Sequence, residues 1–155
     1  PGVAIRTTLI TGFPGETQAH HDEMVAFVKE GWFDRLGVFP FSREEGTPSY
    51  DMGGVVEPAL MEERRAELMA AQQAVHFERA QAQVGRTLEV LLENVEPLTG
   101  RATGRTEHDA PDVDGVVHIQ GLEGGRAGAV IPVEIESAED YDLRGRPVGK
   151  NPGGD

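Results

Sequence analysis

The sequence predicts an α/β segment followed by a small all-β domain. Residues 3–41 read as strand, helix, strand, and from Gly85 onward the pattern changes to short alternating strands punctuated by glycine and proline. The composition agrees: 20 glycines and 10 prolines in 155 residues mean many turns, and 38% apolar residues is low for one compact domain. The length suits one ordinary domain or two small ones.

Residues 3–11, Val-Ala-Ile-Arg-Thr-Thr-Leu-Ile-Thr, are rich in β-branched side chains and predict a strand. It starts almost at residue 1 with no start signal before it, which agrees with a chain that continues upstream. Gly12-Phe13-Pro14-Gly15 breaks it. Thr17 is a candidate cap for a helix carrying Met24, Val25, Phe27, Val28 and Trp32, which Gly31 ends. Residues 35–41 predict a second strand, parallel to the first because a helix crosses between them. Residues 42–56 predict a long irregular loop, of the kind that more often carries function than not. Glu57 to about Gln83 predicts a long helix with Pro58 in its first turn. Its apolar stripe is Met61, Leu68, Val75 and Ala82, with Ala71 between them.

Beyond Gly85, strands are predicted at 87–93, 98–106, 115–120 and 128–137, a set that suggests a small barrel of the OB-like kind. The domain boundary is placed near residues 82–85. The glycine- and proline-rich tail, 149–155, is expected to be disordered.

Charge and composition exclude several classes. The net charge is −13, carried as −6 on residues 1–83 and −7 on residues 84–155. Neither half has the basic excess of a typical nucleic-acid binder, and a partner of opposite sign, such as a basic protein, fits better. The same charge also serves plain solubility. There is no cysteine, so disulfides, thiolate metal sites and iron–sulfur ligation from within the chain are excluded. No apolar run approaches the roughly 20 residues of a membrane span, and no signal-peptide pattern opens the chain. A cytoplasmic protein, monomeric and without a membrane partner, is expected.

Three segments carry candidate chemistry. In Arg6-Thr7-Thr8-Leu9-Ile10-Thr11-Gly12-Phe13-Pro14-Gly15-Glu16 a parallel strand delivers a glycine-rich turn to its carboxyl end, where α/β sheets bind ligands. Ile10 offers an apolar face to a flat ring and Arg6 a fixed cation. A tight strand-to-helix turn with Arg6 in an ordinary ion pair would read the same way. The segment 33–52, FDRLGVFPFSREEGTPSYDM, continues a strand into a charged loop with Arg43, Glu44 and Glu45. The segment 100–121, GRATGRTEHDAPDVDGVVHIQG, joins two strands through a turn with Glu107, Asp109, Asp112 and Asp114. Hard cations need six or more oxygens on a defined loop, and no EF-hand pattern is present, so no metal site is assigned. His108 reads as a surface residue. His20, His21, His76 and His118 show no ligand spacing; the last two read as surface or packing residues.

These three segments resemble radical S-adenosylmethionine methylthiotransferases. RTTLITGFPGET is similar to that family's TTxIxGFPGET, FDRLGVFPFSREEGTPSYDM to its FDRxGxFxYSxEEGTPAxxM, and the third segment to its TRAM domain. Phe41 stands where tyrosine is common and Ser49 where alanine is common. In the looser radical-enzyme pattern G-x-I-x-G-x-x-E, Ile10 and Gly12 match, Thr8 replaces the first glycine, and Glu16 is displaced by one position. The resemblance implies the carboxy-terminal part of a radical S-adenosylmethionine (TIM-like) α/β barrel over residues 1–82, followed by a TRAM β-barrel over 84–148. It implies S-adenosylmethionine as cofactor, with Arg6, Thr8, Ile10, Gly12, Glu16 and the backbone near Val38 and Phe39 at its pocket. It implies two four-iron–four-sulfur clusters, ligated outside this chain.

The segment Asp109-Ala110-Pro111-Asp112-Val113-Asp114-Gly115 resembles the branch that methylthiolates an aspartate β-carbon in the twelfth small-subunit ribosomal protein. The sister branch, which modifies an adenosine of transfer RNA, usually carries a basic segment here. The resemblance therefore implies a basic ribosomal protein as partner and disfavours transfer RNA, with Arg43, Glu45, Asp109, Asp112 and Asp114 expected to face the substrate. The alternatives are the transfer-RNA branch and a TRAM binding module without chemistry.

Overall fold

The structure, a computed structural model, describes residues 3–149; residues 150–155 of the tail expected to be disordered lie outside the described residues. The chain forms two compact units that divide between His76 and Phe77.

The first unit holds β1 (Arg6–Thr11), α1 (Gln18–Lys29), β2 (Arg35–Pro40) and most of α2 (Pro58–Gln81). β1 and β2 pair in parallel, with Thr8 opposite Gly37, Leu9 opposite Val38 and Ile10 opposite Phe39. Strand alternation sorts their side chains. Leu9, Leu36 and Val38 join Val25 and Val28 of α1 and Leu68 and Ala71 of α2 in one apolar cluster. Arg6, Thr8, Ile10 and Phe39 stand exposed. β1 begins at Arg6 rather than residue 3. Its first inter-strand anchor is Ile5, whose N–H donates to Asp34 Oδ2 at 2.7 Å and whose carbonyl accepts from Asp34 N–H at 2.9 Å.

Thr17 caps α1 through a capping box in which His20 takes the place usually held by Glu or Gln. Thr17 Oγ1 accepts from the His20 N–H, and His20 Nδ1 accepts from the Thr17 N–H, each at 3.3 Å. The stripe predicted on α2 is buried at Met61, Leu68 and Ala71. Ala82 is exposed and follows the last residue of the helix, so it leaves the stripe. Arg64, Gln72 and His76 are buried on α2 as well. A reading of apolar periodicity passes over such residues because they are polar.

In the second unit five strands close a barrel in the order β3-β4-β5-β7-β6. They are β3 (Thr87–Glu96), β4 (Arg101–Arg105), β5 (Val117–Gln120), β6 (Val130–Glu139) and β7 (Asp142–Pro147). All neighbours are antiparallel except β5 and β7. The core is Val90, Leu92, Ala102, Val117, Ile119, Leu122, Ile131, Val133 and Ile135.

β7 was not predicted from the sequence, and its composition explains why. Asp-Leu-Arg-Gly-Arg-Pro has little apolar signal, and its buried position is a glycine. Gly145 is required there because a Cβ would drive into the Glu134 carbonyl of β6. Gly104 does the same on β4 against the Leu91 carbonyl of β3. At both points the barrel is too tight for a side chain. Leu98, predicted within a strand, is fully exposed in the β3–β4 turn, so β4 starts later, at Arg101.

A closed barrel has no open edges, whereas a two-stranded sheet leaves an outer edge on each strand. Amide hydrogen exchange should therefore protect residues 86–137 more strongly than residues 3–56; equal protection of the two would contradict this difference in local stability.

Candidate functional site

Elements of the first unit gather around the carboxyl ends of β1 and β2. The turn after β1 and the loop after β2 meet there. The Phe41 N–H donates to the Thr11 carbonyl at 2.8 Å, and the Gly15 N–H to the Gly54 carbonyl at 2.9 Å. The rings of Phe13 and Phe41 meet edge to face at 5.3 Å. Gly12 makes the turn possible for two reasons. Its φ is +79°, which L side chains rarely adopt, and a Cβ would overlap Met61 of α2.

Glu16 holds the turn from within. Its Oε2 accepts from the Gly12 N–H at 2.8 Å and its Oε1 from Thr11 Oγ1 at 3.3 Å. Arg64 Nη1 donates to the same Oε1 at 2.7 Å, and Arg64 Nη2 to Gln18 Oε1 at 3.4 Å. The two charged side chains are 6% and 5% exposed. Glu16, expected at the cofactor, thus has both oxygens engaged inside the protein. Its carboxylate fixes the turn, because a buried charge is tolerated only when paired and hydrogen-bonded.

The exposed sheet face takes a different form. Ile10 and Phe39 are paired in register and are 54% and 60% exposed. Gly37 leaves a gap beside them, since a Cβ there would sit 3.5 Å from Phe39 Cε2 and 3.8 Å from Thr8 Oγ1. Arg6 and Thr8 continue this face along β1. Val38 points the other way, into the apolar cluster, so only its backbone belongs to the exposed face. Arg43 Nη2 donates to the Met52 carbonyl at 2.7 Å and folds its loop back on itself; Glu45 is exposed.

In the barrel unit the acidic residues divide. Asp109 Oδ2 accepts from the Thr106 N–H at 3.1 Å and from Thr106 Oγ1 at 2.6 Å, and Asp114 Oδ2 accepts from the Ala110 N–H at 2.7 Å. Both carboxylates hold the loop that contains them, as aspartates do in turns. Asp112 is exposed at a φ of 60°, next to the exposed Val113. Of the three aspartates expected at the substrate, Asp112 is the one whose side chain is not spent on that loop. No group of three or more His, Asp or Glu side chains able to hold a metal ion occurs among the described residues.

Two histidines read from sequence as packing or featureless are tied to carboxylates. His21, 1% exposed, meets Glu67 Oε2 through Nε2 at 2.9 Å. His118 meets Asp142 Oδ2 through Nε2 at 3.0 Å. Their partners lie 46 and 24 residues away, so local spacing held no signal for either pair.

Comparison with known proteins agrees with this architecture. Residues 84–148 match the family described as the TRAM domain, a span that takes in all five strands of the barrel. The whole chain is similar to proteins named ribosomal protein uS12 methylthiotransferase RimO. It is 45% identical over 97% of its length to that of Trichormus variabilis, and 49% identical over 96% to that of a Synechococcus strain. It is 43% identical over 94% of its length to that of Trichodesmium erythraeum. The methylthiotransferase resemblance drawn from the three motifs is borne out by these relatives. The chain spans about a third of their length, 34%, 31% and 32% respectively.

Removing one partner of the buried pair leaves the other charge uncompensated. Arg64→Met should destabilise the first unit by about 3 kcal/mol in a urea melt. The double variant Glu16→Gln/Arg64→Met should cost clearly less than the two single changes added together. Simple additivity would show that the pair does not couple.

Proposed function

We propose that this chain is the cofactor- and substrate-gripping segment of a radical S-adenosylmethionine methylthiotransferase that acts on an aspartate β-carbon of ribosomal protein uS12 in the cytoplasm. The observation that carries this reading is 43–49% identity to proteins named uS12 methylthiotransferase RimO over 94–97% of the chain. Residues 1–82 are read as the carboxy-terminal part of the catalytic α/β barrel and residues 84–148 as the TRAM domain.

The exposed face of β1 and β2 suits S-adenosylmethionine. Ile10 and Phe39 offer a flat apolar surface for adenine, and the space left by Gly37 lets a ring lie close to the backbone. Arg6 and Thr8 supply polar groups on the same face. Arg64, Glu16 and Gly12 act behind this face, keeping the turn after β1 in one conformation. When bound, S-adenosylmethionine supplies the methyl group and the radical. The two iron–sulfur clusters do not fit this chain, which has no thiolate to ligate them. No step through a cluster is assigned to its residues.

The substrate side is read from charge. The TRAM half carries −7, which repels phosphate and attracts a basic ribosomal protein. Asp112 presents its carboxylate outward, and Arg43 and Glu45 stand on the loop beside the cofactor face.

Three outcomes test this reading. Immobilised on resin, the chain should capture purified uS12 in preference to transfer RNA, and the capture should weaken as salt rises; preferential capture of transfer RNA would favour the sister branch. Incubated with iron and sulfide, the chain should gain no stoichiometric cluster absorbance; a cluster at one per chain would overturn the assignment of ligation elsewhere. Titration with S-adenosylmethionine should shift the amide resonances of Ile10 and Phe39 and leave those of Val117 and Ile119 in place; unmoved β1 and β2 resonances would sink the cofactor assignment.

A further inference from the structure

The TRAM half carries an excess of acid, yet its arginines are not scattered. Arg101, Arg105, Arg144 and Arg146 occupy β4 and β7, the two strands that flank β5. On these strands the buried positions Ala102, Gly104 and Gly145 alternate with them, so the arginines face outward. Three of them pair with carboxylates on neighbouring segments. Arg105 Nε donates to Glu93 Oε1 of β3 at 2.9 Å, Arg144 pairs with Glu139 of β6 at 3.0 Å, and Arg146 pairs with Glu136 of β6. Arg101 makes no side-chain hydrogen bond or ion pair among the described residues.

An open groove of about 360 Å³ runs over this face. Register sets its floor: Asn94 lies opposite Thr103, Thr103 opposite His118, and His118 opposite Arg144, one outward row across four strands. Arg101 lies opposite Gln120 in the next row. His118 is held by Asp142, which also accepts from the Val116 N–H at 2.9 Å. Glu96 stands at the rim, where its Oε2 accepts from Thr99 Oγ1 at 2.8 Å.

We propose that this groove binds an extended polypeptide segment carrying two carboxylates, one taken by Arg101 and one by Arg144, which exchanges its solvent-exposed pair with Glu139 for the ligand. Asn94, Thr103 and Gln120 serve its backbone amides. Arginine suits the role because its planar guanidinium accepts a carboxylate through two parallel hydrogen bonds. Spacing defines the ligand further. β4 and β7 are separated by one strand, and the two arginines are offset by two residues along it, so their backbones are roughly 12 Å apart. Carboxylates four residues apart on an extended chain, at about 3.3 Å per residue, match that separation.

A nucleic acid is a poorer occupant. No Phe, Tyr or Trp lines the groove; its one aromatic ring is the His118 imidazole, tied to Asp142, so base stacking, a main source of affinity for single strands, has little platform. The rim carboxylate of Glu96 and the acidic remainder of the unit also oppose a continuous row of phosphates, whereas two separate carboxylates can avoid both. This inference uses only the barrel and does not rest on the methylthiotransferase reading.

The test is fluorescence anisotropy on the full chain with a labelled Gly/Ser peptide carrying two glutamates four residues apart. The peptide should bind, and its counterpart with two glutamines should bind at least tenfold more weakly. Arg101→Glu should weaken binding tenfold or more with an unchanged circular dichroism melt. Arg126→Glu makes the same charge change outside the groove and should alter binding less than twofold. Equal binding of the two peptides, or equal loss in the two variants, would overturn the proposal. So would a single-stranded RNA oligonucleotide that binds more tightly than the peptide and is lost in Arg101→Glu.

Discussion

Glu16 carries a carboxylate almost sealed from solvent, and its position depends on Arg64, which reaches it from a helix 48 residues further along the chain. Moving either charge out of water costs several kcal/mol, which their mutual attraction offsets only when the remaining hydrogen-bonding positions are filled. Thr11 and Gly12 fill those of Glu16 and Gln18 takes Arg64 Nη2, while Arg64 Nε stays buried without a partner among the described residues. The result is a turn with one accessible shape at the carboxyl end of β1. That turn sets where Phe13 meets Phe41 and where Gly15 meets Gly54, and so fixes how the two loops beside the exposed strand face are arranged.

The barrel obeys a different constraint. Five short strands enclose little volume, so two strands approach their neighbours too closely for a side chain. Gly104 and Gly145 mark those points, one on each side of β5. Leucine and isoleucine then fill what space is left. The same closeness puts Arg101, Arg144 and His118 on one continuous outer surface. A barrel of this kind has no strand edge to offer, so its recognition must come from outward side chains.

Net charge hides this arrangement. A value of −7 describes the far field, which steers encounter with distant partners. On β4, β5 and β7 arginine outnumbers carboxylate, and carboxylates of β3 and β6 neutralise Arg105, Arg144 and Arg146 but leave Arg101 without an ion pair among the described residues. Long-range attraction of a basic protein and short-range capture of carboxylates are therefore compatible on one small domain.

Much of the fold was legible in the sequence. The βαβ order, the Thr17 cap and the break into a β domain near Gly85 follow from local chemistry: β-branched runs, capping residues and glycine. Gly12 was legible as a turn residue, because a glycine-rich break at the end of a strand calls for a positive φ. β7 was not legible, because its buried position is a glycine and its other residues look like a polar loop. Nor was the division among Asp109, Asp112 and Asp114, whose spacing is the same whichever carboxylate closes the turn. The charged partner of Glu16 and the partners of His21 and His118 were hidden for one reason. Each partner lies 24 to 48 residues away, and only packing brings it near. Sequence determines elements through interactions within a turn or two of the chain. Which charges are buried, paired or left facing solvent is decided by the tertiary structure, because desolvation depends on every neighbour at once.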